Sequence, residues 1–162
     1  MSYQQRLRAG GALALSALCL SAVAAVAPAG ARSSVAPCTA TGLGTKAMLA
    51  KEAKVLGANV SATNDSGHPN DCIVLSSVTG RQAEVYIWPK SQAASAVGGL
   101  LGGTFAGQKV KKVALGGLGA GAVSYNGVAT FTAGKYFVAL FGLNMKPAQT
   151  LAFARLVRAK LA

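Results

Sequence analysis

Acidic side chains are scarce in this sequence, and their scarcity removes whole classes of function. Among 162 residues only Glu52, Asp65, Asp71 and Glu84 carry a side-chain carboxylate, against sixteen lysines and arginines, and His68 is the single histidine. No two acids lie close in sequence as a general acid–base pair, and no G-x-S-x-G turn is present to raise a serine nucleophile. A lone histidine cannot complete a four-ligand zinc site, so no metal is expected. These shortages favour a protein that is not an enzyme. A small extracellular hydrolase whose groups meet only in the fold stays open as the alternative.

Cofactor motifs fail as well. Gly117, Gly119 and Ala122 in "LGGLGAGA" have the spacing of a dinucleotide-binding turn. Such a turn needs a strand before it and a helix after it, because the helix N-terminus holds the pyrophosphate. The glycines run instead into "AVSYNGVATF", in which Asn126-Gly127 between two β-prone runs predicts a hairpin. There is also no acid after Glu84 to hold a ribose hydroxyl. Gly102 to Gly107 mimics part of a phosphate loop, but Gln108 stands where a lysine must come after the last glycine. No cofactor is expected.

The first residues have a different character. Arg6 and Arg8 precede an uninterrupted apolar stretch from Gly10 to Ala27, followed by Ala27-Pro28-Ala29 and Ala29-Gly30-Ala31, both of the A-x-A cleavage type. This pattern predicts a secretory signal peptide over residues 1–31 and a secreted, extracellular product. A retained membrane anchor is the alternative, since the apolar run almost reaches spanning length. Leu18 before Cys19 and Pro37 before Cys38 do not fit a lipobox. Cleavage leaves Cys38 and Cys72, and an oxidising compartment predicts that they form a disulfide. Closing a loop of about 35 residues contributes roughly 3–4 kcal/mol in the chain-entropy picture. Two free thiols or a metal-binding pair are the alternative.

Losing Arg6 and Arg8 lowers the net charge only from +12 to +10. Such a surface suits anionic cell-wall polymer, anionic lipid or nucleic acid. The cations are dispersed, and only Lys109, Lys111 and Lys112 cluster as tentative anion contacts. Aromatic residues do not interleave with them as a base-stacking platform requires, which argues against nucleic acid.

Beyond a leader over residues 32–44, a single domain is expected over residues 45–162. "TKAMLAKEAKVL" predicts a helix capped by Thr45, with Leu49, Ala53 and Leu56 facing the core, Lys51 and Lys54 facing water, and Gly57 ending it. Ser61 to Asp71 is a turn-forming loop that carries His68 and two acids, so any metal or acid–base site would sit there. "CIVLSSV" and "AEVYIW" predict a hairpin with Thr79 to Gln82 as its loop. In the second strand Val85 and Ile87 share one face; Glu84, Tyr86 and Trp88 share the other, where Trp88 meets either a ligand or a covering helix. Ser91 to Gly103 is a helix weakened by four glycines, with Ser91 as its cap. "YFVALFG" reads as a central strand buried on both faces. Pro147 opens a last helix whose stripe is Phe153, Leu156, Val157 and Leu161. The fold class is α+β, with one antiparallel sheet of about five strands, the N- and C-terminal helices on one face, and one disulfide.

This layout resembles a group of secreted actinobacterial domains. The residues that carry the likeness are Cys38 before the first helix, Cys72 opening the first strand, Gly117-Leu118-Gly119 with Ala122, and the closing helix from Ala152 to Leu161. The group includes lipoproteins of unknown function and the extracellular sensor domain of mycobacterial receptor-type serine/threonine kinases. The family turn usually has Asp or Glu after the second glycine, whereas Ala120 and Gly121 stand here, and the lipobox of the lipoproteins is absent. The resemblance implies an extracytoplasmic binding or sensing fold rather than a reaction.

The expectation is therefore an exported, non-enzymatic, sensor-like module of the cell envelope, whose partner is a wall polymer, a lipid or an envelope protein. A cationic surface protein that adheres to anionic polymer by charge alone is a further alternative. Phe137, Phe141 and Phe153 would line any pocket between sheet and helix, or else simply fill the core.

Overall fold

Two turns and one long apolar run organise the sheet. The computed structural model describes residues 37–57, 59–65 and 67–162, so the expected signal peptide over residues 1–31 lies outside the described residues. A short helix α1 (Pro37–Ala40) and α2 (Lys46–Leu56) precede β1 (Val60–Asn64), β2 (Asp71–Ser76) and β3 (Gln82–Pro89). A 3-10 turn (Lys90–Gln92), α3 (Ala93–Gly99) and a π-helical turn (Leu100–Thr104) come next. After them come β4 (Lys112–Ala114), β5 (Val123–Tyr125), β6 (Val128–Ala133), β7 (Tyr136–Leu143) and α4 (Pro147–Leu161). All strands pair antiparallel in one sheet of order β1-β2-β3-β7-β6-β5-β4.

The sheet thus has seven strands, not about five. β1 falls inside the stretch expected as loop, and β4 lies outside every expected element. The "YFVALFG" run is the central strand: β7 has three neighbours on either side, and Phe137 to Leu140 are buried without interruption. Strand alternation sends Val74, Val85, Val138 and Leu140 to one face, where they meet Phe153 and Val157 of α4 and Leu56 of α2. Tyr86, Trp88, Ala139 and Phe141 lie on the other face, under Val97, Leu100 and Phe105. Terminal helices cover one face, as expected; the glycine-rich middle segment partly covers the other.

Local chemistry explains the helix ends. Gly57, at φ 116°, donates its N–H to the Ala53 carbonyl and stops α2, as its position after Leu56 predicts. Pro147 occupies the first turn of α4. Thr45 stands before α2 without capping it; its hydroxyl donates to the Gly42 carbonyl at 2.9 Å. Ser91 does not cap α3 either, because it lies inside the 3-10 turn.

The buried stripe of α2 is Met48, Glu52 and Leu56, and Leu49 and Ala53 are only half-buried. The helix is rolled from its expected orientation, and the roll carries a carboxyl group into the core. Glu52 is 0 % exposed and neither oxygen finds a hydrogen-bond donor among the described residues. Burial pushes its pKa from 4.5 to about 7.

Cys38, on α1, is bonded to Cys72, on β2, and both sit in the first core. Replacing both by alanine should lower stability by roughly 3–4 kcal/mol, because the unfolded chain regains the freedom of the loop between them. Urea midpoints of oxidised and double-alanine protein measure this, and coincident curves would show that the bridge contributes nothing.

Glu52 has a folded-state pKa above its unfolded one, so the native chain keeps a proton that the unfolded chain releases. Stability should then fall as pH rises from about 4.5 to about 7, by roughly 3 kcal/mol in total. Asp71, raised from 3.8 to about 6, adds to the fall over the lower part of that range. Glu52→Met should remove the part of this dependence nearest pH 7, leave the part due to Asp71, and raise the urea midpoint at pH 8. A variant as pH-dependent as the parent would rule the explanation out.

Candidate functional site

The spacing of two turns sets the length of β6. Asn126 and Gly127, at φ 48° and 93°, form the expected type I′ turn, and Gly134 with Lys135 closes the other end. Six residues remain for β6, while β7 has eight. The β6–β7 ladder stops at Ala129↔Leu140, whereas the β3–β7 ladder continues through Glu84↔Phe141 to Gln82↔Leu143. Strand alternation turns the N–H and C=O of Gly142 away from β3, into the gap left by β6.

This parting leaves a cleft of about 360 Å³, within the size range of small-molecule pockets. Phe105, Val128 and Phe141 line it from the second core; Leu115, Met145 and Leu151 line it from the first. Gly142 lets the walls close around it, since a Cβ there would run into Oγ1 of Thr150 and lie 3.2 Å from Cβ of Met145. Three polar side chains at the cleft already serve the backbone. Ser124 Oγ accepts the Gly127 N–H at 3.1 Å, Asn126 Oδ1 accepts the Lys111 N–H at 2.8 Å, and the Thr150 hydroxyl donates to the Lys146 carbonyl at 3.4 Å. The cleft offers a ligand mainly apolar contact.

Beside it, on the same face as Phe141, lies an aromatic surface with an acidic border. Tyr86 stacks on Trp88 at 5.8 Å between centroids and meets Phe141 edge-on at 5.5 Å; Trp88 packs on Phe137 at 6.1 Å. Asp71 is paired with Tyr86 across the β2–β3 ladder, and Glu84 sits two residues before Tyr86. Asp65 and His68 approach from the β1–β2 loop, with His68 Nδ1 2.8 Å from Asp65 Oδ2 and its ring edge-on to Tyr86 at 6.2 Å. Three of the four acids therefore converge.

Their protonation reflects that crowding. Asp71 is 1 % exposed; burial and the neighbouring Glu84 and Asp65 carboxylates push it up to about 6, against the opposing effects of the His68 charge and the Tyr86 hydroxyl bond. Its Oδ1 has no hydrogen-bond donor among the described residues. Burial, then the Asp71 charge, drives the Tyr86 hydroxyl to about 12. Hydrogen bonds from His68 and from the Gly67 N–H hold Asp65 below the usual carboxylate range, and Asp65 in turn raises His68. Glu84 Oε1 accepts from Gln82 Nε2 at 2.7 Å.

The loop expected to hold any acid–base site does contribute to this surface, but not as a nucleophile–base pair. The His68 side chain is 65 % exposed and its partner is a carboxylate, not a hydroxyl. Among the described residues no group of three His, Cys, Asp or Glu is placed to hold a metal ion. Of the three phenylalanines expected around a pocket, Phe141 lines the cleft. Phe137 and Phe153 do not; Phe153 is fully buried in the first core. Lys109, Lys111 and Lys112 are exposed beside β4, with the Lys112 ammonium 5.9 Å from the Tyr125 ring centre. Gly117 and Gly119, at φ 79° and 95°, lead into β5 and not into a helix.

The seam escaped sequence reasoning. Its signal was present in the turn spacing, which gives β6 two residues fewer than β7. Among the described residues no helix is long and apolar enough to cross a membrane. No protein-family model, curated protein or solved structure matches the chain.

Proposed function

We propose that this chain is a non-enzymatic binding module of the extracytoplasmic space, with the seam cleft as its pocket for a small apolar group. The observation that carries the reading is the cleft of about 360 Å³ beside the end of β7 that β6 no longer pairs. The Cys38–Cys72 bridge favours an oxidising compartment. The exposure of His68, with only a carboxylate as its partner, speaks for binding over hydrolysis.

Octanol, as an apolar probe, should shift the amide resonances of Gly127, Gly142 and Leu151 on titration. Leu151→Trp, which fills the cleft, should weaken that response by roughly tenfold or more. Shifts scattered over the surface, or unchanged by the tryptophan, would remove the cleft from consideration.

A second reading attaches to the β4 edge, where Lys109, Lys111 and Lys112 stand exposed together. Retention on an anionic wall polymer belongs to that edge if it falls steeply with salt and is lost when the three lysines become glutamine. Retention that survives both changes excludes it.

A further inference from the structure

The acidic border of the aromatic face is chemically out of place. On a chain of net charge +12, the carboxylates of Asp65, Asp71 and Glu84 are brought together although they repel one another. Among the described residues the one ion pair joins Asp65 to His68, and no lysine or arginine neutralises Asp71 or Glu84. Asp71 is also buried, its Oδ1 without a hydrogen-bond donor among the described residues, and the Glu84 and Asp65 charges act on it. The Tyr86 hydroxyl and the His68 charge offset only part of the cost of burying this carboxylate, whose pKa stays raised. Beside it the rings of Tyr86 and Trp88 stack nearly parallel, and both residues are half-exposed. An aromatic face bordered by negative charge is an arrangement that attracts an ammonium ion.

We propose that this face binds an ammonium group, and that its ligand is an amphiphilic amine whose apolar part occupies the seam cleft. The second half of this assignment rests on the cleft being a binding pocket. Continuity between the two halves comes from Phe141, which lines the cleft, touches Tyr86, and lies directly across the ladder from Glu84. Opposed residues of a ladder are neighbours on one face. A molecule lying along Phe141 therefore places its charged end between Glu84 and the rings.

The test uses the purified full chain and three probes with the same tail: octyltrimethylammonium, octanol and octyl sulfate. Calorimetry gives their affinities, and Trp88, the chain's single tryptophan, reports arrival at the ring face. The ammonium probe should bind about tenfold more tightly than octanol and change Trp88 emission. Octyl sulfate should bind no more tightly than octanol, and a sulfate that matches the ammonium probe overturns the amine assignment. The ammonium advantage should shrink with added salt and disappear in Glu84→Gln, while octanol binding stays as it was. Equal affinities for the ammonium probe and octanol overturn the amine assignment and leave the cleft standing. Failure of octanol to bind, while tetramethylammonium still changes Trp88 emission, overturns the cleft and leaves the ammonium face standing. Silence of Trp88 toward both ammonium compounds overturns the face. Phosphatidylcholine vesicles separate two sources of the same chemistry. Co-sedimentation assigns a lipid headgroup, and binding of the soluble probe without co-sedimentation assigns a free amine.

Discussion

Eight residue pairs join β3 to β7, from Gln82↔Leu143 to Pro89↔Tyr136, and the remaining architecture hangs from this ladder. The two strands are far apart in sequence, so their pairing closes a long loop and carries its entropy. Once it forms, β2 and β1 extend the sheet from β3, and β6, β5 and β4 extend it from β7. Without it the chain falls into two hairpin sets, neither with a closed core, since Val85 of one and Leu140 of the other share the layer under α4. The same ladder produces the cleft, because β7 stays with β3 to Leu143 after β6 has left it.

The two faces of the sheet are finished to different degrees. Phe131, Leu140, Phe153 and Val157 close the first completely. The second is covered by the segment from Ala93 to Thr104, whose Gly98, Gly99, Gly102 and Gly103 have open space where a side chain would be. Packing gives no reason for those glycines, and each costs a helix about 1 kcal/mol relative to alanine. The locally weakest cover thus lies over the aromatic face, and its end supplies Phe105 to the cleft wall. Binding surfaces are commonly drawn from such low-stability segments.

Features governed by strong local chemistry were legible in the sequence. The turn at Asn126-Gly127, the apolar run of β7, Pro147 and the cysteine pair each reflect one dominant preference. β1 was not legible, because "VSATN" is an edge strand of small and polar residues with only Val60 and Ala62 half-buried. β4 has three exposed residues and is a strand only through its pairing with β5. The acidic convergence was hidden by register. A loop over Thr79 to Gln82 would set Val78 against Ala83 and Asp71 against Lys90, whereas Leu75 pairs with Gln82 and Asp71 with Tyr86. A displacement of four residues along one hairpin is what sets the buried acid opposite a tyrosine. Glu52 escaped because the expected stripe was Leu49, Ala53 and Leu56, whereas the buried one is Met48, Glu52 and Leu56.

The charge distribution also constrains the kind of cation that would bind. A simple inorganic ion gains little here, because the described acids form no metal-ligating group and the chain as a whole repels positive charge. At physiological ionic strength that repulsion decays over about 8 Å, whereas Asp71 and Glu84 act at close range from beside the rings. The local attraction therefore survives where the distant lysines are screened. Exposed charge pairs alone are weak, on the order of 1 kcal/mol or less, so affinity has to come mainly from burying apolar surface. In the proposed complex the cleft would supply that surface, and Glu84 beside Phe141 would select the end group of the ligand.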